Sequence, residues 1–421
     1  MRIRRRDFLK TSAGVAIGAV ATGSGCTTTQ APAAAQFDDL VSMTDDVVPI
    51  SDEERWQRIE NAQRKMAAAD IDAVYLDVGT SLQYFTDVRM WPSERMFAAV
   101  LPVDGEPVYI LPKFEEAESV EKIRFGSDVR TWEEQENPCR VVADLFADLG
   151  IRSGRIGMEE RVRFFLFDGI RIQAPHLEYV SADPVTMECR LTKTPAEIAL
   201  MQRASDITIE VYRMVIPMLE PGMTAGEFSD LTREAHTALG ASGSINAQIG
   251  KASSRPHGSS RRPIEEGDVV LMDGGCRVEG YKSDISRTVV VGEPTPRQRE
   301  AWQLAAGAQA AAWEAIALGV PCEDVDAAAR AFYESRGYGP GYTLPGLPHR
   351  TGHGIGLDGH ECIHLVRGNR RPLEAGMCFS NEPAIVFPEE FGVRLEDCFY
   401  LAEDGPHYFS QPSPSIDRPC A

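Results

Sequence analysis

The apolar positions divide the chain into two textures. From Asp52 to Cys189 short apolar runs alternate with stretches of helical periodicity. Arg58 to Ala69 repeats its apolar residues at helical spacing and Ala73 to Leu76 reads as a strand. Met96 to Leu101 is placed to pair with Val108 to Leu111 across a turn at Asp104-Gly105. This is the pattern of a mixed α/β domain. At Thr194 the texture changes. Thr194-Pro195-Ala196-Glu197 is a capping box with proline in the first turn, and Ile198, Met201, Ile209, Tyr212 and Val215 mark one face of the helix it opens. A second box, Thr224-Ala225-Gly226-Glu227, starts another helix after Pro221-Gly222. The pattern predicts a boundary near residue 190, with an α/β domain over 37–190 and a second domain over 191–421.

The second domain repeats itself. Two helices (196–239) precede His257-Gly258, then Pro263-Ile264-Glu265-Glu266-Gly267, then a β run reaching Asp273. Two more helices (296–336) precede His353-Gly354, then Pro372-Leu373-Glu374-Ala375-Gly376, then a β run reaching Glu382. In both copies the acid comes six residues after the glycine, and a second strand carries another acid, Asp284 or Glu396. The expectation is an α+β domain built from a duplicated ααββ unit about a pseudo-twofold axis, each half supplying one histidine and two carboxylates to the middle.

Composition changes this picture little. The 421 residues are 43% hydrophobic and 25% charged, which excludes wholesale disorder, a collagen repeat and a polytopic membrane protein. With 63 acidic against 43 basic side chains the formal charge is −20, which opposes phosphate backbones and anionic lipid, so nucleic acid is not expected as a partner. The nine cysteines form no CxxC pair and read as core thiols, a disulfide or two remaining open after export.

The first 35 residues are set apart from the fold. Arg5-Arg6-Asp7-Phe8-Leu9-Lys10 matches the twin-arginine export consensus, and the apolar stretch Thr11 to Ala21 is too short and too rich in Gly and Ala to span a bilayer. The expected partner is the twin-arginine translocase, and the expected location periplasmic or extracellular. Cleavage after Ala33-Ala34-Ala35 frees a soluble protein and is favoured. Cleavage before Cys26 would leave a lipid anchor, but Gly23-Ser24-Gly25 lacks the usual leucine.

Chemistry collects in the repeat. Asp273 ends the apolar run Val269-Val270-Leu271-Met272, where a carboxylate needs a partner, and a hairpin turned near Val278 to Gly280 would bring Asp284 beside it. Two such acids repel unless one is protonated or a cation lies between them. Adding His353, Glu382 and Glu396 gives four carboxylates and one imidazole, a set suited to two divalent ions sharing bridging carboxylates. Manganese fits best, with cobalt, iron or zinc as alternatives.

Asp273-Gly-Gly, Tyr281-Lys-Ser-Asp284-Ile-Ser-Arg-Thr, His349-Arg-Thr-Gly-His353-Gly-Ile-Gly-Leu-Asp-Gly-His360-Glu, Asn381-Glu382-Pro and Arg394-Leu-Glu396-Asp together resemble the pita-bread metallopeptidases. Within that family the likeness is to aminopeptidase P and prolidase, which cleave before proline. It is strong over 190–410, and 55–185 loosely resembles a creatinase-type N-terminal domain. Methionine aminopeptidase normally lacks such a domain.

The resemblance implies that Asp273 binds one metal, His353 and Glu382 bind the other, and Asp284 and Glu396 bridge both. A hydroxide between the ions would attack the scissile carbonyl, with Glu382 also handling the proton of that water. It further implies that His257 and His360 hydrogen-bond substrate and tetrahedral intermediate, that His349 lines the pocket for the residue after the cut, and that Arg394, grouped with the substrate-binding residues, partners a ligand carboxylate. His364 receives a structural role. Short peptides, Xaa-Pro substrates first, and a homodimer are expected.

The chain departs from that pattern at Ala384-Ile385-Val386-Phe387, where proline-directed members have a glycine and then, two residues on, a tyrosine. Three other readings compete. Creatinase-type C–N hydrolases lose the metal ligands, all of which are present here. A metal-dependent lyase adds an acid where this chain has Gly275. A non-catalytic peptide-binding module on the same fold also discards the ligands.

Overall fold

The computed structural model describes residues 37–420. The twin-arginine stretch, Cys26 and the Ala33–Ala35 cleavage position lie outside the described residues. Among the described residues, no helix is long and apolar enough to cross a membrane.

The first domain contains a six-stranded mixed sheet made of β1 (Ala73–Asp77), β2 (Ala98–Pro102), β3 (Val108–Pro112), β4 (Val129–Trp132), β5 (Arg155–Met158) and β6 (Glu178–Ser181). Its order is β4-β3-β2-β1-β5-β6, and the expected β2–β3 hairpin pairs Ala98 with Ile110. The central strands read as unbroken apolar runs because both faces are covered. Ala73 and Tyr75 enter one core while Val74 and Leu76 enter the other, the two-residue alternation of a strand. Helices α1 (Asp52–Ala68), α2 (Thr80–Thr86), α3 (Glu116–Val120), α4 (Pro138–Asp148), α5 (Phe164–Gln173) and α6 (Asp183–Leu191) complete it. Helix α1 starts where the Ser51 hydroxyl accepts from the Glu54 amide, and it buries Ile59, Ala62 and Met66.

Both capping boxes open helices, α7 (Pro195–Val215) and α8 (Ala225–Ala238), with the reciprocal hydrogen bonds in place. The remaining helices are α9 (Pro296–Glu314), which has its own box at Thr295 and Gln298, and α10 (Cys322–Glu334). The first half of the repeat forms the sheet β7 (Ser242–Ile249), β8 (Val269–Val278) and β10 (Ile285–Val290), with β9 (Tyr281–Lys282) closing the hairpin. The second half adds β11 (Gly352–Gly354), β12 (Glu361–Leu365), β13 (Cys378–Asn381), β14 (Ile385–Phe387), β15 (Phe391–Val393), β16 (Asp397–Ala402) and β17 (Gly405–Tyr408). The antiparallel triplets β7-β8-β10 and β11-β13-β16 are topological copies. The two meet where the Ser286 and Glu396 backbones exchange hydrogen bonds of 3.3 and 3.2 Å.

The ladders correct the repeat in two respects. Asp273 does not end its strand, which runs on to Val278, while Asp284 and Glu396 each stand one residue before a strand rather than inside it. The histidines are not counterparts. Three residues before each acid, Val270 faces Ile249 and Phe379 faces Gly354, so the position matching His353 is Gln248. Strand β7 stops at Ile249, and a short helical turn over Gly250–Ser254 carries His257 beyond the ladder.

The cores also differ between the halves. Apolar side chains of α7, α8 and β8 join one continuous core with α1 and the first sheet, whereas α9, α10, β13 and β16 enclose a separate one. All eight cysteines among the described residues are free thiols, six of them buried.

Candidate metal centre

Every residue given a metal-binding, catalytic or substrate-binding role from sequence lines one cavity of about 480 Å³ at the junction of the two halves. Asp273 lies in β8 beyond four buried apolar residues. A Cβ at Gly275 would meet the Ser283 carbonyl oxygen at 2.2 Å, so glycine there lets the returning chain lie close and brings Asp284 alongside. From the other half, Glu382 follows β13, with its amide bonded to the Thr351 carbonyl at 2.8 Å, and Glu396 precedes β16.

His353 is held in the orientation a ligand needs. Its Nδ1 lies 3.0 Å from the Gly354 carbonyl, which can only accept, so Nδ1 carries the proton and the Nε2 lone pair is free. Nε2 stands 3.2 Å from Glu382 Oε1 and 3.9 Å from both Asp284 Oδ2 and Glu396 Oε1. The donor atoms fall into three groups whose members lie within 4.8 Å of one another: Asp273, Asp284 and Glu396; His353, Glu382 and Glu396; and Asp284, His353 and His360. Asp284 and Glu396 each belong to two groups, the position of shared carboxylates.

The electrostatics fit cations in this space. Burial, reinforced by neighbouring carboxylates, drives Asp284 and Glu396 well above the ordinary carboxylate range. Burial acts on Glu382 in the same direction, but His353, His349 and Arg394 outweigh it and hold Glu382 down. Glu396 Oε1 is buried without a hydrogen-bond partner, which leaves its lone pairs free for a cation. An oxygen-rich set with one imidazole suits divalent first-row metals.

The other side chains take different places around the cavity. Arg394 lines the cavity and contacts its acids: Nη2 is 2.5 Å from Asp273 Oδ2, and Nε donates to Ser286 Oγ at 3.0 Å. The carboxylate-partner role fits this geometry, because the nearest counter-charges lie on the cavity floor. His257 is exposed at the rim, at a φ of 48°, outside all three donor groups. His349 lines the wall and has its Nδ1 2.7 Å from the Arg350 carbonyl. His360 packs with its ring centroid 3.9 Å from that of His353, the planes tilted by 39°, closer to the cluster than a purely substrate-facing role requires. Burial, then the neighbouring His353 and Arg350, push its pKa down to about 4. His364 faces His353 across the β11–β12 ladder, does not line the cavity, and leaves Nδ1 without a partner.

Three contributors escaped the sequence reading. The Ser286 hydroxyl lies 2.9 Å from Asp273 Oδ1 and 2.7 Å from Glu396 Oε2, tying the halves together. It stands two residues after Asp284, so strand periodicity could have revealed it. Arg350 Nη2 donates to His360 Nδ1 at 3.0 Å, and Gln248 lines the wall from β7. No local signal marks either.

Two family models match the chain: a creatinase/prolidase N-terminal domain over residues 58–192 and metallopeptidase family M24 over 199–403. The Xaa-Pro dipeptidase of Lactobacillus helveticus is 31% identical, over 82% of this chain and 95% of that protein. Among solved structures, a recombinant prolidase from Thermococcus sibiricus superposes with a TM-score of 0.79 at 29% identity, covering 85% of this chain and 97% of its own. Dipeptidase PepE from Mycobacterium ulcerans gives 0.78 at 30% identity, covering 86% and 97%.

Proposed function

The chain belongs to metallopeptidase family M24 and is a metallo-exopeptidase with the pita-bread fold, and from that premise we propose that it hydrolyses short peptides, Xaa-Pro dipeptides or N-terminal Xaa-Pro bonds first. The observation carrying this reading is the pair of donor groups that share Glu396 and stand side by side through Asp284. Asp273, Asp284 and Glu396 would hold one divalent ion, and His353, Glu382, Glu396 and Asp284 the other, manganese being the proposed metal. Bound there, the pair supplies a water of lowered pKa and polarises the scissile carbonyl.

The chain's own residues do the rest. Glu382 takes a proton from the attacking water and passes it to the leaving amine. Arg350 can only donate, so its bond to Nδ1 leaves the His360 proton on Nε2, available to the carbonyl oxygen as negative charge develops there. Arg394 offsets the charge of Asp273 and orients it. The wall near Ala384, Val386, Leu344 and Pro348 is apolar and accepts a proline ring or an aliphatic side chain of similar size. Val386 places no hydroxyl there, so the proline preference is expected to be looser than in relatives with tyrosine.

The test uses residues 36–421, stripped with chelator, reloaded with Mn2+, analysed for bound metal and offered di- and tripeptides. A saturated content below about one ion per chain removes the two-metal reading, and full metal without cleavage of any peptide removes the peptidase reading. Glu382→Ala is expected to lower kcat by about 10²–10⁴-fold. Export by the twin-arginine route is proposed from Arg5 and Arg6. Replacing both with lysine should hold the protein in the cytoplasm, as read by cell fractionation. A homodimer is proposed for the mature protein, with light scattering as its check.

A further inference from the structure

The seam between the first domain and the second half of the repeat contains a buried lattice of charges, and its acids are Asp358 and Glu361, which flank His360. From α6, Arg190 Nη2 donates to Asp358 Oδ2 at 2.9 Å and to Glu361 Oε1 at 2.8 Å. Arg190 Nη1 reaches Ser81 and Glu160, each at 3.3 Å. Lys193 Nζ donates to Glu361 Oε2 at 2.9 Å. Thr80 and Arg161 both donate to Asp358 Oδ1, at 2.8 and 3.0 Å. The Asp358 amide donates to Glu361 Oε1 at 3.2 Å, closing a turn over Gly359 and His360.

Beyond that bond and the one from the Gly356 amide to the Asp358 carbonyl, the turn has little to hold it from within. Glycines at 352, 354, 356 and 359 leave the segment little conformational preference, and residues 355–360 form no strand. A Cβ at Gly356 would meet Lys193 Cε at 2.8 Å and Glu361 Oε2 at 2.9 Å, so the same lack of a side chain admits the ammonium. Buried ion pairs add little stability over apolar packing of the same volume. What a guanidinium forked between two carboxylates does supply is direction. On the cavity side, the His353 ring and Arg350 are the contacts of the His360 imidazole among the described residues.

We propose that Arg190, assisted by Lys193, is a positioning residue for His360: the first domain fixes that imidazole against the metal-ligand cluster through Asp358 and Glu361, and so takes part in turnover from within the same chain. The kinetic part of this proposal rests on the peptidase reading.

The test compares full-length mature wild type with Arg190→Met, Arg190→Lys, His360→Ala and the Arg190→Met/His360→Ala double variant. Arg190→Met should lower kcat by about 10²-fold, with KM and bound metal unchanged, and Arg190→Lys should recover part of the loss. Adding Arg190→Met to His360→Ala should cost nothing further. Without substrate, the His360 imidazole resonances, assigned by their absence in His360→Ala, should move in Arg190→Met. A kcat equal to wild type, losses that add in full, or an unmoved His360 resonance would overturn the proposal. If Arg190→Met does not fold, Thr80→Val removes one bond to Asp358 without stranding a charge. It should lower kcat several-fold and shift the same resonances, and wild-type values for both would refute the assignment. A wild type that cleaves no peptide defeats the peptidase reading, and the resonances still decide the proposal.

Discussion

The central cleft and the domain seam are both buried clusters of acids, yet Asp284 and Glu396 in the first and Glu361 in the second are pushed in opposite directions. In the seam, burial favours protonation of Glu361, but Arg190 and Lys193 outweigh it and hold the pKa down to about 2. In the cleft, burial and the neighbouring acids drive Asp284 and Glu396 up against the opposing pull of Arg394. One residue beyond Glu396, Asp397 is bound to fully buried Arg287 at 2.7 Å, yet burial outweighs that cation and pushes the carboxyl up. At Glu361 the chain supplies its own cations, whereas Asp284 and Glu396 are surrounded mainly by other acids.

The largest effect expected from breaking this comparison lies in the cleft. Outer partners of metal ligands are worth about 10–100-fold, so losing a shared ligand in Asp284→Asn or Glu396→Gln should lower kcat/KM by more than about 10²-fold and remove bound metal. In chelator the sign reverses: Glu396→Gln relieves a buried, repelled charge, and its melting temperature should exceed that of metal-free wild type. A lower value in both states would place Glu396 with the architectural acids.

Next in size is the seam. Lys193→Met leaves Glu361 short of one cation, and breaking a buried pair costs about 3–5 kcal/mol. Urea unfolding should show this loss equally with and without metal. A loss confined to the metal-loaded protein would merge the two clusters into one.

Acidity separates them further. Because Glu361 titrates below its ordinary value of 4.5, the stability drawn from the seam is complete above about pH 4.5 and is lost as the pH falls toward 2. Asp284 and Glu396 titrate above theirs, so in chelator the cleft's contribution is complete at low pH and is lost as the pH rises through their raised values. Saturating Mn2+ should abolish that second slope and leave the first. The smallest change expected is in specificity. Val386→Tyr should alter the preference for Xaa-Pro over Xaa-Ala by less than about tenfold, since it reshapes the wall without touching a ligand.

The cleft was more legible in sequence than the seam for a definite reason. Its acids recur at matching offsets in the two repeat units, and the His349–His360 segment carries three histidines in one short glycine-rich run. The same reliance on offsets misled where an insertion intervened. His257 occupies the place in the sequence order that His353 has in its copy, yet the turn after β7 moves it to the rim and leaves Gln248 as the true counterpart. Arg394 was legible as a charge near Glu396, but not as the contact of Asp273. The seam left no periodic trace, since Arg190 and Glu361 lie 171 positions apart.

By itself, the sequence determined the helices with their capping boxes, the apolar strand pairs, the duplicated unit, and an acid-rich set whose composition calls for divalent cations. These follow from local rules, because caps, alternation and ligand chemistry act over a few residues or recur with the repeat. Only the tertiary structure decided how closely those carboxylates approach His353, that Gln248 rather than His257 is its counterpart, and that the first domain grips the turn on either side of His360. Those outcomes depend on strand register and on contacts across the seam, where a shift of a few ångströms separates a paired charge from an unpaired one and no local pattern records the difference.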